Sequence, residues 1–243
     1  MFILLWEYNI FSDYEDTAER DFMNKKIYHG GEKIVRTPAF GTGRQYNDFG
    51  LGFYCTEYPQ YAAEWAVGTG RNGFVSSYSI DSDGLRIINL CSSQYNPLHW
   101  LSLIFNYREF DLSSDTAYKA KEYISKNFSV DHQASDCIIG YRADNRCFMF
   151  AQDFLDARLS YLSFKSALQN DASNRQFVLK SNRAFDRIIF TGYEPALRDV
   201  SFPARRSREI KAIKSVKLIT GSNDFFITDL IEGEVKPYDT RLR

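Results

Sequence analysis

The sequence predicts an α+β fold, and three observations carry that expectation. Stretches with the two-residue alternation of strands lie beside stretches with the three-to-four spacing of helices. The two kinds follow one another without the regular βαβ alternation of a doubly wound sheet. No repeat of solenoid period runs through the chain. With 243 residues, 44% hydrophobic and 25% charged, the chain is long enough to bury a core without a disulfide or metal staple and too apolar for wholesale disorder. A single domain over residues 1–243 is expected, with a core over about 24–190 and a C-terminal extension over 191–243.

The elements follow in order. Residues 1–24 are mixed and acidic, with Asp13, Glu15, Asp16, Glu19 and Asp21, and read as a capping segment. Residues 26–29 form a short strand closed by Gly30 and Gly31, and 33–35 a second run that stops before Pro38. Residues 40–50 are a glycine-bearing loop, and 51–56 a strand broken by Gly52. Residues 57–67 read as a helix because Tyr61, Ala62, Trp65 and Ala66 share one face. Residues 74–80 alternate as a strand, 81–84 are turn chemistry and 85–90 are a strand, so this pair reads as a β-hairpin.

Pro97 opens a helix over 97–108. Ser114 or Asp115 caps another over 116–127. Residues 137–140 are a buried strand, 152–169 one or two helices, and 176–180 and 187–191 two further strands. The last fifty residues read as less regular, with a short helix over 225–231.

Composition excludes several classes. Thirty basic against 31 acidic residues leave a net charge of -1, so no global field draws the protein to nucleic acid or membrane. The apolar run Met1-Phe2-Ile3-Leu4-Leu5-Trp6 ends at Glu7. It is too short to span a bilayer and lacks the flanks of a signal peptide, so a cytoplasmic location without membrane partners is expected. Cys55, Cys91, Cys137 and Cys147 contain no C-x-x-C pair and read as reduced thiols, and no metal site is expected.

The run Gly68-Thr69-Gly70-Arg71-Asn72-Gly73 matches G-x-G-x-x-G. A dinucleotide fingerprint must follow a strand and open a helix. Here a helix precedes and a strand follows, so the run reads as a turn. Between Arg198 and Lys217, seven basic residues face two acidic ones. That excess reads as a solvated helix face, with nucleic-acid binding as the rival. His99 and His132 read as structural.

Three segments stand out together: Tyr28-His29-Gly30-Gly31; Asn47-Asp48-Phe49-Gly50-Leu51-Gly52-Phe53-Tyr54 with the helix Tyr61-Ala62-Ala63-Glu64-Trp65-Ala66; and Arg175-Gln176-Phe177. An imidazole at a strand end beside two glycines leaves backbone open to a flat polar ligand. Tyr54, with Phe49 and Phe53 nearby, would sandwich a planar ring. Taken singly, each has an ordinary structural explanation.

Together these segments resemble the ADP-ribosyltransferase fold, in the branch of diphtheria toxin and the poly-ADP-ribose polymerases, and more closely an uncharacterised bacterial family placed in that fold. The resemblance covers about residues 24–190 and implies split antiparallel β-sheets flanked by helices. It implies NAD as co-substrate and mono-ADP-ribosyl transfer to a protein or nucleic-acid acceptor, in a bacterial toxin or defence effector with a neutralising partner protein. His29 would bind the adenine-side ribose, Gly30 the nicotinamide amide, and Tyr54 the nicotinamide ring, with Tyr61 closing its other side and Arg44 at the pyrophosphate.

Gln176 stands where that branch usually has Glu. It can accept a hydrogen bond but carries no charge. Three alternatives follow. Gln176 supports turnover itself; another acid (Asp144, Glu109 or Glu194) fills the site; or the domain binds NAD or ADP-ribose without turnover. An NAD glycohydrolase, with water as acceptor, is the rival in the same pocket. In the run 135–146, Asp144 and Arg146 read either as a plain turn or as the rim of the NAD cleft.

Overall fold

The computed structural model describes residues 23–68, 70–169, 174–215 and 224–243; the acidic segment expected over 1–24 lies almost wholly outside them. In chain order the elements are β1 (Met23–Gly31), β2 (Phe53–Cys55), α1 (Pro59–Ala66), β3 (Gly73–Asp81), β4 (Ile87–Asn89), α2 (Pro97–Ile104), α3 (Asp115–Asn127), β5 (Cys137–Tyr141), α4 (Asn145–Leu155), α5 (Tyr161–Gln169), β6 (Arg175–Leu179), α6 (Asn182–Phe185), β7 (Ile188–Ala196), α7 (Arg198–Ser215) and α8 (Ile227–Ile231). The chain is α+β. No helix among the described residues is long and apolar enough to cross a membrane.

The strands form two sheets. One has the order β1-β3-β7, antiparallel throughout; the other has the order β2-β6-β5-β4, with only β4 and β5 parallel. A bridge joins them where Tyr28 N donates to Thr56 O at 2.8 Å and Thr56 N to Tyr28 O at 2.9 Å. Ile27, Tyr78 and Ile80 of the first sheet meet Cys55, Cys137, Phe177 and Leu179 of the second in a dry inner layer. The outer face of the second sheet carries the main core, built from α2, α3, α4 and α5 around Trp100, Phe154 and Phe164. Phe225, Ile227 and Leu242 join that same core, and the Tyr161 hydroxyl donates to Leu242 O at 2.7 Å.

The local signals explain most helix boundaries. Asn96 caps α2 in a box closed by His99, which fixes His99 as a structural residue. Ser114, rather than Asp115, caps α3 by accepting from Ala117 N. Three expectations are corrected. The expected hairpin does not form: β3 has β1 on one edge and β7 on the other, which leaves no edge for the following segment. That segment is captured instead by Asp136, which accepts from Arg86 N at 2.8 Å and so starts the β4–β5 pair. The span 152–169, expected as one or two helices, is two, α4 and α5, and the correction is to its start, since α4 begins at Asn145. The tail is more regular than expected, with α7 running for 18 residues across Pro203.

Helix α1 lies directly on the first sheet, with Ala62 and Ala66 against Val75 and Ala196. The approach is so close that a Cβ at Gly30 would overlap the Ala62 carbonyl oxygen, and one at Gly73 the Ala66 carbonyl oxygen. The missing Cβ of Gly30 therefore admits a helix. Gly30→Ala is expected to destabilise the protein by about 3 kcal/mol, lowering the melting temperature by roughly 6–12 °C, as measured by thermal unfolding. An unchanged melting temperature would mean that α1 is free to shift.

Candidate functional site

Past the Tyr28–Thr56 bridge, β1 and β2 diverge. The space between them opens into a cavity of about 870 Å³, lined by His29, Gly30, Arg44, Asp48, Tyr54 and Gln176 together with residues of the loops after β1 and β5. That volume falls in the range of about 300–1,000 Å³ usual for small-molecule sites.

His29 stands one residue past the bridge on β1. Its Nδ1 lies 2.8 Å from Tyr54 O. A carbonyl only accepts, so Nδ1 carries the proton and Nε2 is an acceptor. The ring stacks on Phe53, with centroids 4.5 Å apart and planes 25° from parallel. Burial lowers the His29 pKa, partly opposed by the hydrogen bond to Tyr54 O, which keeps the imidazole neutral at neutral pH.

Tyr54 lies one strand across. Its hydroxyl accepts from Phe49 N at 2.9 Å and donates to Gly50 O at 2.7 Å, and burial pushes its pKa well up. Lys180 ties the same turn, donating to Phe49 O and, at 2.7 Å, to Leu51 O. Burial brings the Lys180 pKa down to about 8. Gly50 takes a positive φ of 71° in this turn, a conformation glycine adopts without strain. Phe49 is fully buried and belongs to the core. The expected sandwich of Phe49, Phe53 and Tyr54 is therefore corrected: Phe49 anchors the turn, Phe53 supports His29, and Tyr54 faces the cavity.

Behind Tyr54 lies Gln176 on β6, buried. Its Nε2 donates to Asp48 Oδ2 at 3.0 Å. Asp48 also accepts from Ala143 N at 2.9 Å and from Arg108 Nη1 at 2.7 Å. A buried carboxylate thus stands beside the amide at position 176.

The other residues expected at the site separate into two groups. Arg44 and Asp144 line the cavity, Asp144 also capping α4 through Cys147 N at 3.0 Å. Tyr61, Arg146, Glu109 and Glu194 do not line it. Tyr61 lies under the Arg208 guanidinium, 5.1 Å from its ring centroid, and so faces α7. Arg146 is buried, 3.7 Å from Asp144.

One turn after Tyr61, Trp65 does line the cavity, with Arg142 over its ring at 4.8 Å. Asp48, Trp65, Arg108 and Arg142 also line the cavity and carried no expected role. Trp65 had a signal, its i+4 spacing from Tyr61, and Asp48 sat inside the quoted motif.

Charge in the cavity is unevenly committed. Arg108 pairs with Asp48, Arg71 with Glu32 and Arg205 with Glu209. Arg44 and Arg142 make no ion pair among the described residues. On α7, Arg198 and Arg208 pair with Asp199 and Glu64, so much of the basic stretch is bound to carboxylates; Lys217 lies outside the described residues. Among these residues no group of three His, Cys, Asp or Glu could hold a metal, and the four cysteines are free thiols.

Tyr54→Phe removes the hydroxyl that holds the turn and leaves Phe49 N–H without its acceptor. A loss of about 2 kcal/mol is expected, or roughly 4–8 °C in melting temperature. Thermal unfolding of the variant beside the wild type checks this, and an unshifted transition would show that Lys180 alone holds the turn.

No curated protein and no solved structure matches the chain. Residues 25–190, well over half of its length, match the family described as protein of unknown function (DUF3990), and the chain belongs to that family.

Proposed function

We propose that the protein is an NAD-dependent mono-ADP-ribosyltransferase. The observation that carries the reading is convergence: His29 and Gly30 from one sheet, and Tyr54 and Gln176 from the other, line one cavity. These are the residues of the three motifs whose resemblance suggested NAD, and they lie up to 147 positions apart in sequence, counting from His29 to Gln176. Two further features favour an anionic, ring-bearing ligand. Arg44 and Arg142 offer positive charge to a pyrophosphate, and Trp65 and Tyr54 offer aromatic faces.

In this reading the neutral Nε2 of His29 accepts from a ribose hydroxyl, and Tyr54 packs on the nicotinamide ring. The glycosidic bond between C1′ of the ribose and the nicotinamide nitrogen breaks, and nicotinamide leaves with the electron pair. An acceptor oxygen or nitrogen forms the new bond to C1′ and gives up its proton. The residues contribute by orientation, which is worth orders of magnitude in rate.

Nicotinamide release from NAD, measured for the intact chain, should fall about 100-fold or more in His29→Ala. Label from the adenylate of NAD should end on a macromolecule. Label found only as free ADP-ribose would make the protein a glycohydrolase. No release and no saturable NAD binding would remove the reading.

A further inference from the structure

The amide at position 176 is matched to its surroundings. Every group directed at Asp48 is a donor: Arg108 Nη1 on Oδ1 at 2.7 Å, and Ala143 N at 2.9 Å and Gln176 Nε2 at 3.0 Å on Oδ2. A carboxylate accepts at both oxygens, so the atom that Gln176 turns toward it must be the amide nitrogen. The carbonyl oxygen of Gln176 is then left for the cavity that the residue lines. An amide at residue 48 would set a donor against Ala143 N–H or against Arg108. An ionised carboxylate at residue 176 would lie about as close to Oδ2 as Gln176 now does, and two such groups cannot both ionise at that separation.

We propose that Asp48, rather than residue 176, carries the fixed negative charge at the β6 end of this cavity, and that Gln176 is a neutral relay that Asp48 orients. The charge-assisted hydrogen bond polarises the amide. Gln176 then presents an electron-rich carbonyl oxygen to a ribose hydroxyl, a step that rests on the NAD reading above. Asp48 is a positioning residue that acts through Gln176 and through its field on the reacting ribose.

Other charges face the pair. Arg108 and Arg142 are positive and Asp144 is acidic, while His29 and Tyr54 are neutral. Arg108 is the direct counter-ion, but its side chain is 32% exposed against 9% for Asp48. Solvent therefore screens the arginine more than the carboxylate.

The test begins with Gln176→Glu in the intact chain. Glutamic acid that keeps its proton is nearly isosteric with glutamine and can donate to Asp48. Beside Asp48 its folded-state pKa is raised above the unfolded value of about 4.3. The stability this group contributes is therefore complete below that unfolded value and lost as pH rises through the folded one. The variant should melt close to the wild type at about pH 4–5 and several degrees below it at about pH 8. Nicotinamide release at about pH 8 should be no faster than in the wild type. Asp48→Asn should lower turnover about 100-fold, while NAD affinity changes much less.

A melting gap that does not depend on pH, or a Gln176→Glu variant that turns over faster than wild type at about pH 8, would overturn the assignment. If Asp48→Asn does not fold, the pH series of Gln176→Glu decides alone. A pH-dependent gap in a protein that neither binds nor cleaves NAD would remove the NAD reading and leave the charge on Asp48. Nicotinamide release with no such gap would do the reverse.

Discussion

The backbone bridge between Tyr28 and Thr56 is the constraint on which the rest of the site depends. It pins two sheets together at one point. On one side of it the sheets close over Ile27, Tyr78 and Phe177 as a dry layer. On the other side they part. Along an extended strand, alternate residues direct their backbone groups to the same edge, so Tyr54, two residues before Thr56, turns its carbonyl toward β1 as Thr56 does. No backbone donor of β1 meets it. The His29 imidazole takes that acceptor instead. The histidine thus ends the ladder, and the same hydrogen bond fixes which of its nitrogens faces the cavity.

The turn over residues 48–52 is the second support, and it is held from many directions. Tyr54, Lys180 and the buried ring of Phe49 hold the backbone, and the Asp48 side chain is held by donors from three other parts of the chain. Its rigidity comes from polar groups that are individually modest and collectively satisfied.

What the sequence made legible was whatever is encoded locally. The strand ends at His29 and Tyr54 are punctuated by glycine. The helix over 57–67 shows its face, Pro97 opens α2, Ser114 caps α3, and the G-x-G-x-x-G run lies between a helix and a strand, as its context indicated. What stayed hidden depended on distant partners. Asp48 stood within a recognised motif, yet its partners Ala143 and Gln176 are 95 and 128 positions away. The hairpin over 74–90 was locally well signalled and failed because β1 and β7 occupy both edges of β3. Helix α7 carries Pro203 and a mostly polar surface, which masks its periodicity; Glu64 of α1 receives it through Arg208 at 2.8 Å. The resemblance set Tyr61 at the ligand, on the helix after Tyr54, but one helical turn separates Tyr61, beneath α7, from Trp65, which lines the cavity.

Arg205 lines the cavity from α7, while the family match ends at residue 190. The floor of the pocket and one of its walls therefore belong to different parts of the chain, the wall to a segment outside the shared pattern. The strands that position His29, Tyr54 and Gln176 are bound by mutual packing and tolerate little change. The helix that overlooks them is held to α1 by the buried Glu64–Arg208 ion pair, by Arg208 over the Tyr61 ring and by Phe202 against the Ala62 and Ala66 cluster. Where Arg205 stands over the cavity therefore depends on a buried contact between the matched segment and the residues that follow it.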